Sequence, residues 1–321
     1  MTIRGKKILI TGGAGFIGST IAERLVEHNH IIIYDTLHRN ALKHSKIAKH
    51  KNLTLIKGDV MDGPKLKKAA KGSNVIIHMA SIAGVDTVMS MPVKTMEVAT
   101  IGTYNALKAA IEQSRLERFI DFSTSEVFGS FAYHVKESDT TILGTVGEAR
   151  WTYAVSKLCT EHLTLNYYKQ FKLPALAIRP FNIYGPRQVG IGAVHRFIVN
   201  AIKGEDITIH NDGSQIRSWC YIDDIVDGIM LCLEKKAAIG HTFNIGNPRS
   251  TLTVYNLALE IKRLSGSNSR IVFVKKEAKD VELRVPDIGK ARTILGYQPK
   301  VDLEEGLLRT IHWYRNNSSH D

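Results

Sequence analysis

The 321-residue sequence predicts an α/β fold, a doubly wound parallel sheet accompanied by a smaller α/β lobe. Three observations carry this expectation. Short β-type runs alternate with helical stretches through the first half of the chain. A glycine-rich turn follows the first of those runs. After Gly185 the texture changes to apolar stripes at helical spacing. A prior of ~150 residues per domain leaves room for a second unit.

The first strand is read at Lys7–Thr11, followed by a helix near 17–27 and a strand at 31–34. Further strands are expected at Leu53–Lys57, Val75–His78, Arg118–Phe122 and 175–179. Their near-continuous apolar runs suit a sheet buried on both faces. Beyond 185, Val194, Phe197, Ile198, Ala201 and Ile202 form a helical stripe, and Gly213 marks a turn. Residues 221–234 read as a strand end running into a helix. Val254, Leu257, Ala258, Ile261 and Leu264 make another stripe, Ile271–Val274 a strand, and 303–314 a closing helix. The expected division is a first domain at 1–185, with 221–247 returning to it, and a second lobe from 186–220 and 248–321.

Hydrophobic residues at 44% and charged residues at 23% exclude disorder, a collagen-like repeat and a disulfide scaffold. No apolar run approaches the ~18 residues of a membrane span. Ile8-Leu9-Ile10 is too short for a signal-peptide core, so a cytoplasmic protein with no membrane partner is expected. Cys159, Cys220 and Cys232, odd in number and without CxxC spacing, read as reduced and mostly buried. The net charge is +12, and ten Lys/Arg face only Asp59 and Asp62 between Arg39 and Lys71. The plain reading is a solvated basic face; the same field would attract a polyanion or a diphosphate substrate. No RNA-binding signature, zinc finger or helix-turn-helix pattern points to nucleic acid. The histidines are scattered, His195 and His210 among them, and no metal site is expected.

Thr11-Gly12-Gly13-Ala14-Gly15-Phe16-Ile17-Gly18 stands between the first strand and its helix. Glycines at 12, 15 and 18 permit a tight turn, close approach of a pyrophosphate and tight helix packing. The helix N-terminus adds free N–H groups and a positive dipole. Asp35, 20 residues after Gly15 at the end of the second strand, suits an adenosine ribose and so NAD rather than NADP. His38 and Arg39 nearby would suit a 2′-phosphate instead, and a plain turn acid is the alternative for Asp35. Asp59 and Val60 follow the third strand as an adenine contact, and Met79, Ala80 and Ser81 end the fourth at the cofactor edge. The first domain is thus expected to be an NAD-binding domain of the Rossmann type.

Tyr153 and Lys157, four apart on a predicted helix, share one face. A free tyrosine titrates near ~10, too high for a neutral-pH base. An adjacent ammonium and an oxidised nicotinamide would lower it. Phe122 to Gly129 places hydroxyl residues after the fifth strand.

With these residues in view, the chain resembles the extended short-chain dehydrogenase/reductase family, the NAD-dependent nucleotide-sugar epimerases, dehydratases and decarboxylases. The resemblance spans nearly the whole chain. It rests on the motifs at 11–18, GDV at 58–60, HMAS at 78–81, STSEVFG at 123–129, YAVSK at 153–157, RPFNIYGPR at 179–187 and GSQIRSW at 213–219. YIDD at 221–224, FNIGNP at 243–248 and LEEGL at 303–307 complete it. It implies that Thr124 holds the sugar C4 oxygen and that Tyr153 removes the C4 hydroxyl proton as hydride passes to NAD. It also implies that Lys157 holds the nicotinamide ribose and lowers the pKa of Tyr153. Asn182 and Arg217 would contact the substrate's nucleotide diphosphate, and Arg187 would add to that anion site. A homodimer formed by helices near 96–114 and 152–171 is implied too, with Leu107, Ile111 and Leu165 serving that interface or the core.

The reaction after the shared 4-keto step is read from two places. Thr124-Ser125-Glu126 looks like the 4,6-dehydratases of the GDP-mannose type and the UDP-glucuronate decarboxylases. In the dehydratases the glutamate takes the C5 proton. The segment from Thr141 to Trp151 looks like the decarboxylase branch, with Arg150 available to fork a uronate carboxylate. Arg217 matches the arginine placed near the substrate carboxylate in the aminoarabinose-pathway enzyme. The best expectation is a UDP-glucuronate (uronate) decarboxylase. A UDP-sugar 4-epimerase or an NDP-hexose 4,6-dehydratase stays open, because the residues after Tyr153 are not the Asp-Glu-Gly of common UDP-xylose synthases. A non-enzyme binding protein of this fold is disfavoured, since Thr124, Tyr153 and Lys157 are all present.

Overall fold

The computed structural model describes residues 3–190, 192–275 and 281–317. In chain order the elements are β1 (Lys7–Thr11), α1 (Phe16–Leu25), β2 (His30–Asp35), β3 (Leu53–Lys57), α2 (Gly63–Ala70), β4 (Val75–His78), α3 (Val85–Ser90), α4 (Pro92–Ile111) and β5 (Arg118–Phe122). Then come β6 (Phe131–Val135), α5 (Thr152–Phe171), β7 (Ala175–Pro180), β8 (Ile183–Tyr184), α6 (Ala193–Lys203), β9 (Ile207–His210), β10 (Ile216–Ser218), β11 (Cys220–Tyr221) and α7 (Ile222–Glu234). The chain finishes with β12 (Thr242–Ile245), β13 (Thr251–Thr253), α8 (Val254–Ser265), β14 (Ile271–Val274), β15 (Leu283–Pro286), α9 (Gly289–Leu295) and α10 (Leu303–Asn316).

Seven strands make one parallel sheet in the order β12-β7-β5-β4-β1-β2-β3. Ile8, Ile10, Ile31, Ile33, Val75 and Ile77 pack with α1 and α7 on one face. Leu9, Ile32, Ile76 and Phe119 pack with α2, α4 and α5 on the other. Strands apolar on both faces are therefore buried between two helical layers. The direction of strand addition reverses between β1 and β4, which opens a crevice at the carboxyl ends of those strands.

The second lobe holds a four-stranded sheet, β13-β10-β15-β6, and the parallel pair β14–β9, with α6, α8 and α10 against them. β12 lies at the edge of the large sheet, reached through β11 and α7. Two segments cross the division read from the sequence. β6, at 131–135, is the edge strand of the small sheet, paired with β15. Its alternation is weak, with only Ala132 buried and Phe131 and Tyr133 exposed, so it gives little periodic signal. α9, at 289–295, packs on α7 and β12. Cys220 and Cys232 are buried and Cys159 is exposed on α5. Among the described residues no helix is long and apolar enough to cross a membrane.

A buried ion pair braces α5 against the edge of the large sheet. Arg179 of β7 donates from Nε and Nη2 to Glu161 of α5 at 2.8–3.2 Å, and Thr242 of β12 donates to the same carboxylate at 2.9 Å. Both partners are nearly sealed from water. Such a pair is costly to break one-sidedly, because the surviving charge stays buried. Glu161→Ala should lower unfolding free energy by ~3–5 kcal/mol in urea titration. The double change Glu161→Leu with Arg179→Met should recover most of that loss; a double variant no better than the single would contradict this account.

Candidate active site

A cleft of about 770 Å³ lies along the carboxyl ends of β1, β2, β3, β4, β5 and β7. Each strand contributes the residues of its following turn. Gly12, Gly15, Phe16, Ile17, Gly18, Asp35, Asp59, Val60, Met79, Ala80 and Ser81 all line it. At Gly12 φ is +69°, and an added Cβ would lie 2.9 Å from the Ala80 nitrogen. A Cβ on Gly18 would meet the Gly13 Cα at 2.6 Å. The backbone at this turn is thus bare toward the cleft and close-packed beneath, a shape that fits a pyrophosphate at the N-terminus of α1.

Asp35 accepts the Ala14 and Leu37 N–H groups at 3.0 and 2.7 Å and faces the same cleft. Burial pushes its carboxyl up, and those two N–H groups pull it back. Arg39 reaches across to Thr87 at 3.4 Å. Asp59 accepts the Met61 N–H at 2.9 Å, which fixes the turn after β3.

The far end of the cleft is built by β5 and α5. Thr124 follows β5 by two residues, and its hydroxyl accepts the Glu126 N–H at 3.2 Å, starting a tight 3₁₀ turn over Ser125–Phe128. This turn presents Thr124, Ser125 and Glu126 to the cleft. A second short turn, Ala149–Trp151, leads into α5, which carries Tyr153 in its first turn and Lys157 one turn on. Tyr153 lines the cleft and Lys157 is buried beneath it, its Nζ without a hydrogen-bond partner among the described residues. That orphaned ammonium fits a ribose hydroxyl pair of a bound dinucleotide.

Around Tyr153 the protein's own groups oppose loss of the phenol proton. Burial raises the phenol, Glu126 raises it further, and the Thr124 hydroxyl pulls the other way. Lys157 is itself pulled down by burial, against the charges of Asp121 and Glu161.

Glu126 is the electrostatic centre of the far wall. Arg150 Nη1 donates to its Oε2 at 2.7 Å, and Arg284 Nη1 lies 3.6 Å from Oε1. Both guanidinium groups are buried and both line the cleft. Arg150 also stacks over Trp151 at 5.2 Å. Burial alone would raise Glu126, but Arg284, Arg150 and the more distant Arg217 outweigh it and hold the carboxyl below its ordinary range.

Of the three residues expected at a diphosphate, only Asn182 lines the cleft. It is held with φ +26° and donates to the Ser218 carbonyl at 2.9 Å. Arg187 turns away, forking Glu23 of α1 at 2.6 and 2.7 Å. A partly buried guanidinium already paired in that way is committed to joining α1 to the turn after β8. Arg217 donates to the Ile216 and Val281 carbonyls and does not line the cleft. Its register neighbour across the parallel β10–β15 pair is Arg284, which does. The arginine expected at 217 thus stands one strand over. Its signal was an arginine flanked by Leu283 and Val285. Among the described residues no cluster of metal ligands occurs.

Behind this site, Asp121 of β5 is fully buried, and burial raises its carboxyl to about 6. The native state then binds this proton more tightly than the unfolded chain between about pH 4 and 6, so stability falls as pH rises through 6. Asp121→Asn should raise thermal stability at pH 8, by up to ~3 kcal/mol, and change little at pH 4. An equal effect at both pH values, read by calorimetry, would contradict this.

Known proteins match this architecture. The model of the NAD dependent epimerase/dehydratase family matches residues 8–246. UDP-N-acetyl-alpha-D-glucosaminuronate decarboxylase of Bacillus cytotoxicus is 34% identical over 321 residues, 97% of this chain and 98% of that one. UDP-glucuronic acid decarboxylase 1 of Xenopus tropicalis is 34% identical over 321 residues, 98% of this chain and 73% of that one. The crystal structure of UDP-glucuronic acid 4-epimerase from Bacillus cereus, with UDP-glucuronic acid and NAD, superposes with a TM-score of 0.87 at 31% identity, covering 97% of this chain and 99% of that one.

Proposed function

The chain belongs to the NAD-dependent epimerase/dehydratase family, and on that premise we propose that it decarboxylates a UDP-linked uronic acid through a 4-keto intermediate. The observation that carries this reading is the pair of guanidinium groups on the far wall. Two buried guanidinium groups, Arg150 and Arg284, share one carboxylate, Glu126, at the cleft surface. Both also line the cleft, where a guanidinium fork can engage a substrate carboxylate.

NAD, when bound, supplies the oxidant that accepts a hydride from C4 and later returns it. Gly12, Gly15, Phe16, Ile17 and Gly18 would hold its pyrophosphate, Asp35 its adenosine ribose, and Asp59 and Val60 its adenine. Met79, Ala80 and Ser81 would border its nicotinamide half, with Lys157 on that ribose. Tyr153 takes the C4 hydroxyl proton while Thr124 holds the same oxygen. Asn182 meets the nucleotide diphosphate.

Once C4 is a ketone, the C6 carboxylate belongs to a β-keto acid. The C5–C6 electron pair moves toward the C4 oxygen as CO₂ leaves, and C5 then takes up a proton. Thr124 and the Tyr153 hydroxyl steady the developing enolate oxygen. Arg150 and Arg284 orient the departing carboxylate. Glu126, clamped below its ordinary pKa, is a weak base. That disfavours proton abstraction at C5 and so the dehydratase alternative. Loss of CO₂ needs no such base.

The family fold presents Ile101, Tyr104 and Val155 exposed on α4 and α5, which supports a homodimer through these helices. Leu107 is fully buried in the subunit's own core and serves no such interface. The three free cysteines support a cytoplasmic setting.

Purified protein incubated with NAD and UDP-glucuronate should release CO₂ and yield a UDP-pentose by mass spectrometry. A product of unchanged mass with inverted C4 would make the protein a 4-epimerase and overturn the reading. Tyr153→Phe should lower kcat by roughly 10²–10⁴-fold. Arg284→Gln should lower kcat/KM by roughly 10²-fold while NAD affinity holds; unaltered turnover would remove Arg284 from its assigned role.

A further inference from the structure

One buried carboxylate has no part in the chemistry above. Asp121 stands between Ile120 and Phe122 in β5, fully sealed from solvent. Its register partners are His78 of β4 and Ala177 of β7. α5 covers it. Thr160 donates to Asp121 Oδ2 at 3.3 Å, and the same hydroxyl lies 3.1 Å from the Lys157 carbonyl. Asp121 Oδ1 and Lys157 Nζ are both buried, and neither has a hydrogen-bond partner among the described residues.

The other charged groups around Lys157 are already committed. Glu161, on the same helix, is forked by Arg179 and bonded by Thr242. Lys290 lies toward Glu137 and Glu161. His78 sits between the hydroxyls of Thr11 and Thr103 at 2.8 and 3.1 Å and is pushed down to about 3 by burial and then by Lys157, so it is neutral. Glu126 faces Tyr153 and is clamped by its arginines. Of the two carboxylates that act on Lys157, only Asp121 is not neutralised by a guanidinium.

We propose that Asp121 is a positioning residue for the reaction, its buried charge holding the Lys157 side chain in the cationic form that the site needs. The inference rests on reading Tyr153 and Lys157 as the working pair. Burial drives Lys157 to lose its proton, and the Asp121 charge is the largest influence against that loss. The same charge raises the Tyr153 phenol, after burial and Glu126. Removing it therefore acts on both groups with one sign. In Asp121→Asn both limbs of the pH profile of kcat move to lower pH. A packing defect alone would scale the profile without moving it.

The direct test is NMR of the full-length protein carrying carbon-13-labelled lysine, with the Lys157 resonance assigned through Lys157→Met. The deprotonation midpoint of Lys157 should fall by about one pH unit in Asp121→Asn, a ~10-fold loss of proton affinity. An unmoved midpoint overturns the proposal. The readout needs no turnover, so failure on UDP-uronates would sink the reaction assigned above while this titration still decides the role of Asp121. Should Asp121→Asn not fold, the wild-type resonance carries the test. It must show a second inflection near the pH of about 6 at which Asp121 titrates; a single-step titration overturns the proposal.

Discussion

The carboxylate of Glu126 ties the two lobes together electrostatically at the cleft. It stands on the turn after β5 of the large sheet, and Arg284 stands on β15 of the small one. Arg150, on the turn before α5, closes the other side. Removing any one of the three leaves a buried charge short of its partner, so the pairing constrains how β15 sits over the end of β5. The constraint also shapes the chemistry. A carboxylate held ionised by two guanidinium groups is a poor base, and guanidinium groups that line the cleft can anchor an anionic sugar.

Most of the nucleotide half of the site was legible in the sequence because its signals are local. The glycines at 12, 15 and 18 stand within eight residues, and Asp35 follows at the end of the next strand. Tyr153 and Lys157 share a helix face by spacing alone. Six strands of the large sheet were legible as apolar runs, most of them buried on both faces, whereas β12 was not read as a strand. The small sheet was not, since β6, β10, β13 and β15 are three to five residues long and mix buried with exposed positions.

The errors among the arginines have one cause. Spacing along the chain does not say which strand of a parallel pair faces a cleft. Arg217 and Arg284 stand side by side in register, yet only Arg284 lines the cavity. Arg187 looked like part of an anion site because it follows a motif, but Glu23, 164 residues earlier, takes both of its nitrogens. Long-range pairing of that kind leaves no mark on a single sequence. The same holds for Asp121, whose cost to stability only becomes visible once its strand is seen to be central and covered.

The central claim is that the Arg150–Glu126–Arg284 cluster recognises a sugar carboxylate. UDP-glucuronate and UDP-glucose differ only at C6, so their affinities isolate that recognition. Calorimetric titration of NAD-loaded Tyr153→Phe protein, which binds without turnover, tests it most directly. The account predicts that UDP-glucuronate binds at least ~10-fold more tightly, a difference of about 1.4 kcal/mol, and that adding Arg284→Gln abolishes the difference. Equal affinities for the two sugars would contradict it.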